Sequence, residues 1–204
     1  MMLFNLETSM FSPDYLVTDN QNWVEVDDEE IDGISASITG GGAVWLENGK
    51  VKYSGKAPSE YHIFDAKSKS FKVSDEKKAE FFKRKKETIL GTLADKADAI
   101  KNGLLAGYPQ TEIESFYRQE KEALAWRADN NADTPMLKQV ARVRGVPFDV
   151  LVEKVIEKAS QFAVAIGVII GKRQAFEDRL LATKTLEELT ALEKEIEEWT
   201  FQAN

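Results

Sequence analysis

AVWLENGKVKY, residues 43–53, reads as two short strands joined by a two-residue turn. Asn48-Gly49 is the turn, because asparagine and glycine both tolerate the positive φ that a tight hairpin turn demands. A two-residue loop fixes the register: Glu47 faces Lys50, Leu46 faces Val51, Trp45 faces Lys52 and Val44 faces Tyr53. Val44, Leu46, Val51 and Tyr53 then share one apolar face. On the other face, Glu47 and Lys50 are opposite in charge, and Trp45 can lie over the Lys52 stem. Turn chemistry, face and charge agree, so an antiparallel hairpin anchors this end of the chain.

Moving outward, the surroundings are also β-rich. Tyr61–Asp65 and Ser70–Val73 flank Ala66-Lys67-Ser68-Lys69 and read as a second hairpin. Upstream, Asn22–Val26 is a strand, and Asp27–Ser37 a short helix whose start Asp27 or Asp28 caps. Gly40-Gly41-Gly42 is a flexible turn between that helix and the first hairpin, and the first fifteen residues can supply another strand.

The period changes at Ser74. Phe82, Ile89, Leu93, Ala97, Ile100 and Leu104 recur at three, four or seven residues, one face of a long helix ended by Gly107 and Pro109. Thr111 with Glu114 forms a capping box for the next helix, to about Ala128. Pro135 opens a third helix and Gly145 closes it. A fourth runs from Pro147 to about Leu181. Thr185 with Glu188 caps the last, whose apolar face is Leu186, Leu189, Leu192, Ile196 and Trp199. The expected class is α+β, with a small antiparallel β-rich domain over residues 1–73 and a bundle of about five helices over residues 74–204.

Composition narrows the function classes. The net charge of −8 argues against general nucleic-acid binding, although Lys83-Arg84-Lys85-Lys86 forms a local basic run, read as a solvated helix face. With no cysteine in the chain, disulfides, thiolate metal sites and cysteine nucleophiles are excluded. The start, MMLFNLETSMFSPDYL, has no basic segment leading into a long apolar one and does not read as a signal peptide. The longest apolar run, Phe162–Ile170, falls far short of the roughly 20 residues that cross a bilayer, so no membrane partner is expected.

Catalytic constellations are sparse. His62 is the single histidine, inside an expected strand with no nucleophile elbow near it. Asp27-Asp28-Glu29-Glu30 are contiguous acids that point in different directions on a helix, which suits a helix N-terminus better than a metal. The three glycines at 40–42 precede a strand and lack the Lys-Ser/Thr of a phosphate loop. The expectation is a binding protein without catalytic residues, cofactor or metal. Two features point to partners. Trp23, Trp45, Tyr53, Tyr61 and Phe64 concentrate aromatic surface in a region too small to bury them all, with Trp45 and Phe64 the candidates to face outward. Ala163, Gly167 and Gly171 continue from Ala159 at every fourth residue, a small-residue stripe against which another helix can pack closely. That helix belongs either to the same chain or to a second copy.

Several segments together resemble a known group. WVEVDDEEIDGI (residues 23–34), the VWLENGKVKY hairpin and APSEYHIFDAKSKSFKVSDEKKAE (57–80) look like the N-terminal part of phage tail fibre assembly proteins. Those proteins place a short acidic helix after a strand, then a hairpin, then a proline-led strand, here Pro58–Asp65. Thr111–Trp126, Thr134-Pro135-Met136-Leu137, Arg144-Gly145 and Phe148–Leu189 are similar to a helical domain of uncharacterised role in phage tail proteins. The first twenty residues match neither pattern. The resemblance implies a chaperone in the host bacterial cytoplasm that binds the C-terminal region of a trimeric tail fibre and assists its folding or trimerisation. The alternative it allows is a structural component retained on the virion at the fibre tip.

Overall fold

The computed structural model describes residues 1–18 and 22–201. It is an α+β structure that divides into two compact units, residues 1–85 and 86–204. The first unit holds seven short strands: β1 (Met2–Asn5), β2 (Met10–Pro13), β3 (Trp23–Val26), β4 (Val44–Glu47), β5 (Lys50–Tyr53), β6 (His62–Asp65) and β7 (Ser70–Val73). Helix α1 (Ile31–Thr39) lies between β3 and β4. Helix α2 (Asp75–Leu104) begins in the first unit and continues into the second, where α3 (Gln110–Ala128), α4 (Pro135–Arg144), α5 (Phe148–Ala182) and α6 (Leu186–Glu198) follow. The change of period at Ser74 therefore marks the start of α2.

The strands form a three-stranded antiparallel sheet in the order β2-β1-β3 and two hairpins, β4-β5 and β6-β7. The Asn48-Gly49 hairpin has the expected register, Val44 opposite Tyr53, Trp45 opposite Lys52, Leu46 opposite Val51 and Glu47 opposite Lys50. Both turn residues take positive φ, 51° and 76°. The N-terminal residues supply two strands instead of one, joined by a turn in which Asn5 Oδ1 accepts from the Glu7 and Thr8 amides at 3.0 and 2.9 Å.

Pleating assigns the faces. Met2, Phe4, Phe11, Val24 and Val26 lie on one side of the three-stranded sheet, and Phe4 and Val26 join Ile34 of α1 and Val51 of β5 in the unit's core. The apolar face of the hairpin is only partly used there: Val51 is buried and Val44 packs beside it, whereas Leu46 and Tyr53 remain 49% and 36% exposed. The short acidic helix starts later than the sequence suggests. Asp28–Glu30 form a single 3-10 turn, α1 follows from Ile31 to Thr39, and neither Asp27 nor Asp28 places a side-chain cap. The glycine turn is closely packed. A Cβ on Gly42 would meet the Gly55 carbonyl oxygen and Ser54 Oγ, and one on Gly40 would meet the Lys56 side chain and the Ala36 carbonyl.

In the second unit, α3, α4 and the first half of α5 enclose Ala123, Leu137, Ala141, Leu151 and Val152, flanked by Trp126 and Phe148 in an edge-on ring contact of 5.4 Å. Farther along α5, Phe176 and Leu180 are buried, as are Leu189, Leu192 and Ile196 of α6 and Ile89, Leu93 and Ala97 of α2. Phe176 meets Trp199 at 5.7 Å. Two lysines of α2 reach carbonyls at the C-terminal ends of two other helices: Lys86 Nζ donates to Leu181 and Thr183 at the end of α5, and Lys96 Nζ to Glu197 of α6. Lys86, from the basic run, thus serves a helix C-terminus, where orphan carbonyls favour a cation.

Helix ends follow the expected chemistry with one exception. Thr185 Oγ1 accepts from the Glu188 amide, and the Glu188 carboxylate accepts from the Thr185 amide, a complete capping box. Gly145 sits at φ +64° just past α4. Thr111, by contrast, lies inside α3, which begins at Gln110. There the Pro109 carbonyl accepts from Glu112 and Ile113, and the Glu114 side chain accepts from Gln110 Nε2. The extended backbone of Pro109 fits a helix entry two residues before the pattern T-x-x-E suggests.

Candidate partner-binding site

The five aromatics are not gathered into one surface. Trp45 and Phe64, expected to point outward, stack on one another with ring centroids 5.3 Å apart, joining the two hairpins; both are half-buried. Phe71 meets Phe64 edge-on at 5.5 Å, and the Lys69 ammonium lies 5.7 Å from the Trp45 ring. Lys52 stands opposite Trp45 across the hairpin, as expected, and Lys69 brings a cation to the ring from the other hairpin. Lys69 also pairs with Glu47, and this hydrogen bond, followed by the ammonium's charge, lowers the Glu47 pKa below that of an ordinary glutamate. The pair is exposed and contributes little to stability.

Tyr61 packs between His62 and Phe81 of α2, at 5.3 and 5.5 Å. His62 Nδ1 lies 2.7 Å from Ser59 Oγ, a contact across the local turn in which the His62 amide also donates to the Ser59 carbonyl. Tyr53 lays its ring over Gly33 of α1, where even a methyl group would collide with it. Glycine at 33 is therefore what lets α1 approach the hairpin.

Trp23 has a different setting. It shares the second face of the three-stranded sheet with Leu3, Asn5, Met10, Ser12 and Glu25. Met10 there is 62% exposed, and Trp23 is half-buried. Immediately after β2, the single 3-10 turn Asp14–Leu16 leaves Tyr15 and Leu16 exposed by 81% and 62%. β2 and β3 are the outer strands of the sheet, each four residues long. With Met1, the residues Met10, Tyr15 and Leu16 are thus the most exposed large apolar side chains of this unit, and Ile38, Leu46, Tyr53, Ile63 and Val73 are exposed to a lesser degree elsewhere; neither alternation nor turn signals singled out the β2 group. The physical signal was the run Met10-Phe11-Ser12-Pro13-Asp14-Tyr15-Leu16, more apolar than a solvent loop requires.

The small-residue stripe lies on α5. Ala163, Val164, Gly167, Val168 and Gly171 are exposed, while Ile169 two positions after Gly167 is buried. Nothing stands within 4 Å of a Cβ built on Gly167 or Gly171. Among the described residues, intramolecular packing therefore does not account for these two glycines. Each mid-helix glycine costs about 1 kcal/mol relative to alanine, and among the described residues no contact uses the space it leaves. Gly91 and Gly103 of α2 are equally open.

Among the described residues, no three of His, Cys, Asp and Glu could hold a metal ion, and no helix is long and apolar enough to cross a membrane. Apolar faces, strand edges and an open helix stripe are the surface chemistry on offer.

Comparison with known proteins places only the C-terminal part. Residues 157–199 match the family described as the HI1402 helical domain. A Haemophilus influenzae protein titled "Uncharacterized protein" is 73% identical over 66 residues, which are 32% of this chain and 97% of that protein. No solved structure matches the chain. Through its C-terminal helices, the chain belongs to the family of that Haemophilus influenzae protein.

Proposed function

We propose that this chain is an assembly chaperone for a phage or prophage tail fibre, acting by binding and not by chemistry. Its partner in this reading is the C-terminal, β-rich end of a trimeric fibre, met in the bacterial cytoplasm before the trimer closes. The observation that carries the reading is the apolar surface at β2: an outer strand whose first residue, Met10, is exposed, followed directly by exposed Tyr15 and Leu16. An unfinished fibre exposes strand edges and apolar faces, and an outer strand with apolar side chains can pair with the first and cover the second. The resemblance of residues 23–80 to fibre assembly proteins points the same way. Trp45 and Phe64, stacked between the hairpins, act in this reading as the scaffold that holds the small unit together, and Trp23 stands on the sheet face available to the fibre.

The experiment is co-expression with a tail fibre from the genome that encodes the chain, scoring the fraction of fibre recovered as trimer. The wild-type chain raises that fraction. The double variant Met10→Glu/Tyr15→Ser raises it by less than half as much while keeping its own fold by circular dichroism. A fibre that trimerises equally well alone overturns the proposal. Recovery of the chain from purified particles in stoichiometric amount replaces it with a fibre-tip component.

A further inference from the structure

We infer that Asn48, at the tip of the first hairpin, is a site of spontaneous deamidation, and that the same dipeptide at Asn102-Gly103 is protected by the helix that contains it. The chain holds two Asn-Gly pairs, at residues 48–49 and 102–103. A glycine after asparagine leaves its backbone nitrogen open to the asparagine carboxamide, because no side chain shields it. In sequence the two pairs are equivalent, and all four residues are exposed. The backbone separates them. Asn48 and Gly49 form a tight turn with positive φ at both positions, 51° and 76°. Among the described residues neither the Asn48 carboxamide nor the Gly49 amide has a hydrogen-bond partner, and no atom stands within 4 Å of a Cβ built on Gly49. Electrophile, nucleophile and the room to bring them together are all free.

Asn102-Gly103 lies inside α2, where helical geometry directs the Gly103 N–H at the carbonyl four residues earlier. The carbonyls of the pair are engaged as well: Asn102 accepts from the Leu105 amide at 3.1 Å and Gly103 from the Ala106 amide at 3.3 Å. Reaction there requires this turn to open first. Two further asparagines are held by their side chains. Asn5 Oδ1 accepts from the Glu7 and Thr8 amides, and Asn131 Nδ2 donates to Asp129. Neither is followed by glycine.

The step is an internal substitution with water as its co-reactant. Solvent base takes the Gly49 amide proton, and that nitrogen attacks Asn48 Cγ. The N–Cγ bond forms, the Cγ–Nδ2 bond breaks, and Nδ2 leaves as ammonia with a proton from solvent. Water then opens the cyclic succinimide. Attack at Cγ gives aspartate; attack at the main-chain carbonyl gives isoaspartate, whose main chain runs through Cβ and Cγ and is longer by a carbon atom. The consequence follows from the register. The two-residue loop aligns Glu47 with Lys50 and Leu46 with Val51, and an added main-chain atom within it breaks that alignment. Val51 belongs to the buried core with Phe4, Val26 and Ile34, so the hairpin loosens from that core as the protein ages. None of this depends on the fibre-binding reading.

The test is peptide mapping of the full chain by mass spectrometry after prolonged incubation at mildly alkaline pH, with isoaspartate labelled by an isoaspartyl methyltransferase. In the folded chain Asn48 converts about ten-fold faster than Asn102, the ratio set by opening a hydrogen-bonded helix turn. In denaturing urea the two rates come together, because the backbone no longer distinguishes the pairs. Amides of β4 and β5 exchange faster in the aged wild type than in fresh protein. In Asn48→Gly, which keeps residues suited to the turn and has no carboxamide to lose, they exchange alike before and after incubation. An Asn48 that stays intact overturns the inference, as does an Asn102 that converts as fast in the folded chain. So does a converted hairpin whose β4 and β5 amides exchange as slowly as in fresh protein.

Discussion

Replacing Glu122 with alanine should destabilise the helical unit more than any other single carboxylate change, although no charge map would select it. Glu122 lies in the fourth turn of α3 and is nearly buried, 8% exposed. Its Oε2 accepts from the Leu137 amide at 3.0 Å, and its Oε1 from the Met136 amide at 3.4 Å. Those are the second and third residues of α4, whose first, Pro135, has no N–H to satisfy. The N-cap residue, Thr134, is fully buried, and its hydroxyl makes no cap. The carboxylate of a distant helix therefore does the work of the missing cap, and it places a negative charge against the positive end of α4. Hydrogen bonds to a charged group contribute ~1.5–3 kcal/mol, and truncation leaves the Leu137 amide without a partner in a buried site. Arg118 also touches Glu122, at 3.2 Å, but its side chain is largely exposed, so that contact is discounted. The expected loss is about 2–3 kcal/mol for Glu122→Ala and about 1 kcal/mol for Glu122→Gln, which keeps one acceptor. With a urea slope of about 1–3 kcal/mol per molar, the alanine variant unfolds about 0.7–3 M earlier, read from Trp126 fluorescence. Hydrogen exchange at the Leu137 amide should accelerate in parallel. An alanine variant whose midpoint stays within about 0.3 M of wild type refutes the reasoning.

Other consequences are as specific. Gly42→Ala should cost about 2 kcal/mol or more in the N-terminal unit, since its Cβ meets a backbone carbonyl that cannot swing aside; denaturant midpoints of residues 1–85 in the full chain, followed by Trp45 fluorescence, measure it. Gly145→Ala forces a side chain into the left-handed region that closes α4, for about 1 kcal/mol in a thermal melt. Trp45→Ala removes the stack with Phe64 and should cost about 2–3 kcal/mol, less than a fully buried tryptophan because the ring is half-exposed, with the effect confined to the N-terminal unit in amide exchange. Backbone hydrogen bonds from Lys184 and Thr185 hold the Glu188 pKa below its ordinary value. Its stabilising effect is therefore complete above the unfolded-state pKa and is lost as pH falls through the lower folded one. Amides in the first turn of α6 should begin to exchange faster below about pH 4.3, and Glu188→Gln should remove that pH dependence.

Local chemistry made much of this fold legible. Asn48-Gly49 fixed a hairpin register to the residue, because turn type, face and charge had one common solution. Pro135, Gly145 and Thr185 with Glu188 marked helix ends for the same reason. What escaped was long-range. Nothing around Thr111 distinguishes a real capping box from the same letters inside a helix begun by Pro109. Glu122 gives no local sign that it caps a helix thirteen residues later. Tyr53 belongs to the hairpin's apolar face by alternation, yet its place over Gly33 depends on α1. The outward aromatics were legible as a surplus of aromatic surface, but their pairing was not: Trp45 found Phe64 on another hairpin, while Met10, Tyr15 and Leu16 are more exposed than either.

The most direct test of the assembly reading is affinity purification of the tagged full chain from cells that express the tail genes of its own genome. The account predicts a defined complex with the C-terminal segment of a tail fibre, weakened by Met10→Glu/Tyr15→Ser and unaffected by Gly167→Leu/Gly171→Leu. Recovery of the chain with no fibre segment bound would contradict it.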